Sequence, residues 1–154
     1  MQENLYQGMK IMRYELADNI LTAKDFLKLR ESAGWSGATT EEQLEEGINN
    51  SLFTVAAIYD NQVIGMGRVV GDRFYICYIQ DLIVLPEFQG KGIGKAIMEK
   101  LIAYIQDGIL PDTDIMVGLF SAKGKEEFYE KFGFSTRADN NRGAGMEMVI
   151  ESKK

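Results

Sequence analysis

A run of closely spaced glycines and lysines is the part of this sequence best suited to chemistry. It follows the stretch Asp81-Leu82-Ile83-Val84 and consists of Gln89, Gly90, Lys91, Gly92, Ile93, Gly94 and Lys95. Glycines let the backbone approach a ligand closely, and a helix that begins inside the run points unpaired N–H groups outward. Because the two lysines add positive charge, the run predicts a binding site for phosphate groups.

The spacing of the run excludes two common phosphate ligands. A Walker loop requires Gly-x-x-x-x-Gly-Lys-Ser/Thr, but the interval from Gly90 to Gly94 is one residue too short and Ala96 replaces the hydroxyl that binds magnesium. A dinucleotide fingerprint requires a third glycine where Lys95 stands. The pattern that remains is Gln-x-x-Gly-x-Gly, filled by Gln89, Gly92 and Gly94.

The elements around this run alternate between strand and helix patterns. We predict strands over 10–16, 53–59, 62–70, 74–84 and 115–120, with a final strand pair from Phe134 onward and over 146–150. Helices are predicted over 22–33, from the threonines at 39–40 to about 50, after the glycine run, and over 125–132. Strand-then-helix units in the second half require a parallel or mixed sheet.

Two motifs together resemble the GNAT N-acetyltransferase superfamily. The first is the Gln-x-x-Gly-x-Gly run, which in that family binds the pyrophosphate of acetyl-CoA. The second is Phe128-Tyr129-Glu130-Lys131-Phe132-Gly133-Phe134, which is similar to the family's Phe-Tyr-x-x-x-Gly-Phe segment and lies about 35 residues further on. The resemblance covers 9–150 in element order and implies an α/β (α+β) single domain. Its mixed, mostly antiparallel sheet has about six to seven strands, about four flanking helices and a splayed central strand pair that binds CoA.

The resemblance implies an acetyl-CoA-dependent N-acetyltransferase that acts on a primary amine of a small molecule or peptide. The strand before the motif would pair with the pantetheine arm through Leu82, Ile83 and Val84, and the backbone from Gly90 to Lys95 would hold the pyrophosphate. A strand N–H near Val84 would meet the negative acetyl oxygen during transfer. The side chains of Lys91 and Lys95 either reach the cofactor phosphates or lie in solvent.

Tyr129 matches the tyrosine that protonates the departing CoA thiolate in many family members; otherwise it is a half-buried core residue. Seven residues earlier, many members carry an asparagine that contacts the cofactor arm, and this chain has Ala122 there. Ser121 either replaces that contact or the contact is absent.

An amine must lose a proton before it attacks a thioester, so a base or a water chain is needed. Asp81 interrupts an apolar strand, where a carboxylate is costly to bury unless it is solvated or paired. Asp81 is therefore a candidate base or amine-positioning group, and the alternative is a structural hydrogen-bonding role. For the acceptor, the candidates are Trp35 as an aromatic wall, Glu31 beside it and Arg68 for an acidic group. The alternatives are that Trp35 closes the core and that Arg68 belongs to a solvated hairpin.

Composition narrows the remaining function classes. The 23 acidic and 17 basic residues give a net charge of −6, which argues against a nucleic-acid partner. The absence of histidine excludes a His-dependent triad, and a single cysteine, Cys77, is a poor zinc ligand set, so no metal is expected. Without a membrane-length apolar stretch or a signal peptide, a cytoplasmic protein is expected.

Residues 1–8 resemble the protease-cleavage linker of expression tags with its phenylalanine missing, so we expect a tag remnant over 1–8 and an acetyltransferase domain over 9–154. Two alternative functions remain open. One is a catalytically silent CoA-binding regulatory module, which the alanine at 122 leaves open. The other is a protein N-terminal acetyltransferase, which needs an open peptide groove. Family members often form homodimers, but no feature of the sequence identifies a partner surface.

Overall fold

Five strands form one mixed sheet in the part of the chain that this computed structural model describes, namely residues 12–35, 37–139 and 141–152. In spatial order they are β1 (Glu15–Asp18), β2 (Phe53–Tyr59), β3 (Gln62–Gly71), β4 (Ile76–Val84) and β5 (Met116–Gly118). Strands β1 to β4 pair antiparallel, and β4 pairs in parallel with β5. The predicted mixed, mostly antiparallel architecture is confirmed, with fewer strands than the six to seven expected.

Four α-helices accompany the sheet within the described residues, as predicted. They are α1 (Ala23–Ser32), α2 (Glu41–Asn49), α3 (Ile93–Asp107) and α4 (Glu126–Glu130). Helix α1 begins where the Thr22 hydroxyl accepts a hydrogen bond from the backbone of Asp25 at 3.2 Å, and the Thr40 hydroxyl caps α2 at 3.1 Å. These caps satisfy N–H groups that have no carbonyl partner in the first helical turn.

The two faces of the sheet carry different helices. A stripe of α3 is buried against β2, β3 and β4, and it comprises Ile93, Ile97, Met98, Leu101 and Ile105. Helix α3 packs directly over Gly67, because a Cβ added there would lie 2.8 Å from side-chain carbons of Ile97 and of Leu101. Helix α1 lies against β3 and β4 through buried Phe26 and Leu29.

A β-bulge interrupts the pairing between β3 and β4. The register shifts between Met66 and Arg68, so that Asp81 and Leu82 together oppose Gly67. Asp81 has a φ of 53°, in the left-handed region that few residues other than Gly, Asn and Asp adopt. The bulge therefore turns the last residues of β4 relative to the strand before it.

The parallel pairing of β4 with β5 stops well before β4 ends. Its last register pair is Tyr78 with Gly118, whereas β4 continues to Val84. In the described part of the chain, the last six residues of β4 therefore have no pairing partner in β5. This separation of the two strands is what the predicted splayed strand pair requires.

The strand predictions at the two ends of the chain differ from the structure. The first strand covers Glu15–Asp18 instead of 10–16, and residues 10 and 11 lie outside the described part of the chain. The predicted final strand pair is not formed among the described residues from 134 to 152. Four apolar side chains there are at least 80% exposed, so they lack the burial that stabilises a strand: Met146, Met148, Val149 and Ile150.

The chain divides into two compact units, residues 1–119 and 120–154. The sheet and helices α1 to α3 belong to the first unit, and α4 belongs to the second. The expected tag remnant, 1–8, lies outside the described residues. Among the described residues, no helix is both long and apolar enough to cross a membrane.

Candidate active site

The glycine run forms the start of α3 and leaves its first N–H groups without a side-chain cap. Gly92 occupies the N-cap position with a φ of 80° and offers no side chain for a capping bond. The first intrahelical bond runs from the N–H of Ala96 to the Gly92 carbonyl at 3.0 Å. The N–H groups of Ile93, Gly94 and Lys95 therefore precede the helical ladder and can meet an anion, whereas α1 and α2 use threonine hydroxyls there.

The polar side chains of the run are arranged differently from one another. Gln89 donates from Nε2 to the backbone carbonyl of Val84 at 2.9 Å, so it fastens the loop to the end of β4. Lys91 donates from Nζ to the carbonyl of Glu87 at 2.8 Å and lies 5.2 Å from the Phe88 ring centroid. Lys95 is exposed and pairs with Glu99 at 3.6 Å. The ammonium group of Lys95 is therefore freer than that of Lys91 to turn toward an anion.

The end of β4 presents backbone groups at its open edge. The N–H of Leu85 donates to the Ile64 carbonyl at 2.8 Å, so Leu85 faces β3. Because antiparallel backbone groups alternate in direction, the N–H and carbonyl of Val84 point to the opposite edge, and those of Ile83 point back to β3. Among the three predicted pantetheine contacts, Leu82 and Val84 thus have backbone groups at the open edge.

Asp81 lies on the sheet face opposite α3, in a part-buried ion-pair cluster. Its side chain is 7% exposed, its Oδ2 lies 2.7 Å from Arg68 Nε, and its Oδ1 lies 3.7 Å from Arg30 Nη1. The structure therefore brings together the predicted residues Asp81 and Arg68. Pairing with two guanidinium groups compensates for burying the carboxylate.

Arg30 was not predicted, yet it connects Asp81 to the predicted acceptor residue Trp35. Its guanidinium carbon lies 5.9 Å from the centroid of the Trp35 ring, and its Nη2 donates to the Thr39 hydroxyl at 3.5 Å. A sequence signal was available, because Arg30 stands four residues after Phe26 and so shares its inward helical face. Glu31 is exposed and forms no ion pair with either arginine among the described residues.

Two further predicted residues belong to the second unit. Tyr129 in α4 is half-buried, and its ring contacts Phe128 and Phe134 at centroid distances of 5.1 and 6.3 Å. Burial raises the pKa of Tyr129 above its ordinary value, because an apolar setting disfavours the charged phenolate. The Ser121 hydroxyl donates to the carbonyl of Ala122 at 2.8 Å. The roles of both residues stay predictions.

Comparison with known proteins indicates the family of this chain. A family model described as an acetyltransferase (GNAT) domain matches residues 20–150. The crystal structure of a probable acetyltransferase, SA2161 of meticillin-resistant Staphylococcus aureus, is 34% identical; the match covers 90% of this chain and 100% of that one, with a TM-score of 0.79. The uncharacterized N-acetyltransferase ycf52 of Gracilaria tenuistipitata var. liui is 27% identical over 141 residues, which cover 89% of this chain and 75% of that protein.

A more distant structure shares the fold. It is the PaiA N-acetyltransferase of Thermoplasma acidophilum in complex with coenzyme A, with 21% identity and a TM-score of 0.63; the match covers 85% of this chain and 96% of that one. The resemblance inferred from the glycine run and the Tyr129 segment is thus confirmed by independent matches that span most of the sequence. The chain belongs to the GNAT family and is an acetyltransferase.

Proposed function

We propose that this enzyme transfers the acetyl group of acetyl-CoA to a primary amine of a small molecule or peptide by direct attack on the thioester. One observation carries the proposal: the uncapped start of α3 follows the open edge of β4 after a short connection, residues 85–92, which Gln89 fastens to the strand end. The N–H groups of Ile93, Gly94 and Lys95 suit a pyrophosphate, and the edge near Val84 suits an extended amide-containing arm. The described residues therefore fit acetyl-CoA as a substrate.

The chemistry assigns a task to each of two groups. The amine nitrogen first adds to the acetyl carbon, and negative charge develops on the acetyl oxygen. The carbonyl then re-forms as the carbon–sulfur bond breaks and the thiolate leaves. The Val84 N–H, directed to the open edge, supplies a donor for that oxygen. The departing thiolate takes a proton from the Tyr129 hydroxyl, a role that rests on the family motif.

Tyr129 is protonated at neutral pH, as a proton donor must be. A tyrosine with an ordinary pKa is already protonated at neutral pH, and burial keeps it protonated to still higher pH. The phenol can then return to its protonated form after each turnover, because the free phenolate is the unfavourable state in that environment. The proton that the amine loses passes to a base or a water chain.

The acceptor side is assigned to the face that carries α1. The exposed ring of Trp35, together with Arg30 and the neighbouring Glu31, forms a mixed aromatic and charged surface there. Such a surface suits an amine that has an aromatic or charged group beside the nitrogen.

No group of three or more His, Cys, Asp or Glu residues that could hold a metal ion occurs among the described residues. A cytoplasmic location and a homodimer stay predictions.

Calorimetric titration with acetyl-CoA, followed by a thiol-release screen, tests the proposal. The screen covers polyamines, aminoglycosides, amino acids, arylalkylamines and peptides with a free N-terminus. We expect binding of acetyl-CoA and amine-dependent release of free CoA with at least one class. Absence of acetyl-CoA binding would contradict the proposal. Binding with no turnover on any amine would favour a CoA-binding module, and turnover on N-terminal peptides alone would favour protein acetylation.

A further inference from the structure

We propose that Asp81 is a positioning residue that holds the bulged end of β4 in the shape that binds acetyl-CoA, and that it is not the proton acceptor of the reaction. The proposal rests on the proposed function, because it concerns the same edge of β4. It is carried by the ion pair between Arg68 and Asp81 and by the conformation of Asp81. The ion pair connects the acceptor-side helices to the cofactor strand, and the conformation of Asp81 shapes the end of that strand.

The backbone of Asp81 decides the direction of the strand end. Its φ of 53° places it in the left-handed region, and it shares with Leu82 the position opposite Gly67. A bulge of this kind increases the local twist and redirects the residues after it. The open edge at Leu82 and Val84 therefore depends on Asp81 keeping this conformation.

The carboxylate of Asp81 is poorly placed to take a proton from an amine. Its side chain is 7% exposed, and its two oxygens each face a guanidinium, from Arg68 at 2.7 Å and from Arg30 at 3.7 Å. A general base must come within hydrogen-bond reach of the proton that it removes. Both oxygens already face a guanidinium and the side chain is nearly closed to solvent, so an incoming amine would have to compete with the two arginines for the carboxylate.

Arg68 is itself fixed by the helices on the same face of the sheet. Its Nη1 donates to the carbonyl of Gly47 in α2 at 3.2 Å and to the Ser51 hydroxyl at 3.1 Å. Its guanidinium carbon lies 5.6 Å from the ring centroid of Phe26 in α1. The bulge is thus held through one arginine by two helices, which gives Asp81 a rigid partner.

Acetyl-CoA affinity, measured by calorimetry, tests this assignment without any knowledge of the amine. In Asp81→Asn the residue keeps its size and its tolerance of positive φ but loses its charge. We expect this variant and Arg68→Gln each to bind acetyl-CoA about tenfold more weakly than the wild type, and the double variant to lose no more than either single variant. If Asp81 were instead a base that contacts only the amine, its substitution would leave acetyl-CoA affinity unchanged.

Two controls separate positioning from a general loss of structure. Adenosine 3′,5′-bisphosphate lacks the pantetheine arm, so its affinity should be the same in the wild type and in Asp81→Asn. Lys100→Gln removes an ion pair remote from Asp81, the one between Lys100 of α3 and Asp18 of β1 at 2.9 Å, and should leave acetyl-CoA affinity unchanged. If Asp81→Asn does not fold, Arg68→Lys replaces it, since lysine keeps the charge but lacks the Nε donor, and the same weakening is expected.

Several results would overturn the assignment. One is an Asp81→Asn variant that binds acetyl-CoA as tightly as the wild type does. Another is a double variant whose loss of acetyl-CoA affinity equals the sum of the two single losses. The third is an Asp81→Asn variant that binds adenosine 3′,5′-bisphosphate and acetyl-CoA more weakly by the same factor. Each leaves the proposed function standing if the wild type binds acetyl-CoA. Failure of the wild-type protein to bind acetyl-CoA would overturn both the assignment and the proposed function.

Discussion

The side-chain amide of Gln89 donates a hydrogen bond to the backbone carbonyl of Val84 at 2.9 Å. This contact joins the start of the phosphate loop to the end of the cofactor strand. It also occupies the Val84 carbonyl, which shares the open edge of β4 with the Val84 N–H. Gln89 therefore fixes the distance between the two parts of the protein proposed to hold opposite ends of acetyl-CoA.

Gln89→Ala should weaken acetyl-CoA binding about fivefold, because one hydrogen bond contributes about 1 kcal/mol and its loss lets the loop move relative to β4. Calorimetry measures the change. Gln106→Ala, at an exposed position in the last turn of α3, is the matched control and should bind as the wild type does. Equal affinity in all three proteins would show that the Gln89 contact does not shape the binding site.

Gly67→Ala should destabilise the protein by about 1–3 kcal/mol, because an added methyl overpacks the contact with α3. The added Cβ would lie 2.8 Å from Ile97 Cγ2 and from Leu101 Cδ1. Denaturant unfolding followed by circular dichroism gives the free energy of unfolding. Gly47→Ala is the control, since its Cβ meets Arg68 Nη1 at 3.8 Å and alanine favours a helix by about 0.5–1 kcal/mol. An equal effect of both substitutions would refute the close packing of α3.

Tyr129→Phe should lower kcat about a hundredfold with little change in acetyl-CoA affinity, because it removes a proton donor and keeps the ring. The thiol-release assay and calorimetry measure the two quantities. Phe128→Leu, which alters the neighbouring ring without touching a hydroxyl, is the control and should retain most of the turnover. Unchanged kcat in Tyr129→Phe would remove the acid role.

The alkaline pH profile should report the same tyrosine. Burial raises its pKa above the ordinary value of 10.0, so the protonated donor persists at least to that pH and is lost only as pH rises through the higher folded-state value. The free energy of unfolding depends on pH in the same direction. The contribution of the protonated Tyr129 phenol is fully present below the pKa of the unfolded state and is lost as pH rises above the folded-state pKa. A fall in kcat that begins well below pH 10 and is absent from Tyr129→Phe would contradict this shift.

Local signals in the sequence predicted the parts of the fold that depend on local physics. The threonines at 22 and 40 cap helices. Asp60 and Asn61, with φ values of 50° and 58°, form the turn between the two strands predicted over 53–59 and 62–70. The glycine run marks the start of α3 because Gly92 tolerates a positive φ and leaves N–H groups free. In each case the residues that determine the conformation lie within a few positions of it.

The bulge and its ion pairs depend on contacts between distant positions. Arg68 and Asp81 are 13 residues apart, and their pairing follows from a register shift that no neighbouring residue indicates. A buried aspartate in an apolar strand signalled an unusual environment, but the sequence left open whether the partner was a substrate, water or another side chain. The apolar pattern at 146–150 predicted a strand, yet a strand also needs a neighbour to bury its side chains.

Backbone amide NMR of the ¹⁵N-labelled protein, titrated with acetyl-CoA, tests most directly whether the open edge of β4 and the start of α3 bind the cofactor together. We predict large shifts for the amide of Val84 and for those of Ile93, Gly94 and Lys95, with small shifts for Ile83, whose backbone faces β3. Binding of acetyl-CoA that leaves the Val84 and α3 amides unshifted would contradict the proposed site.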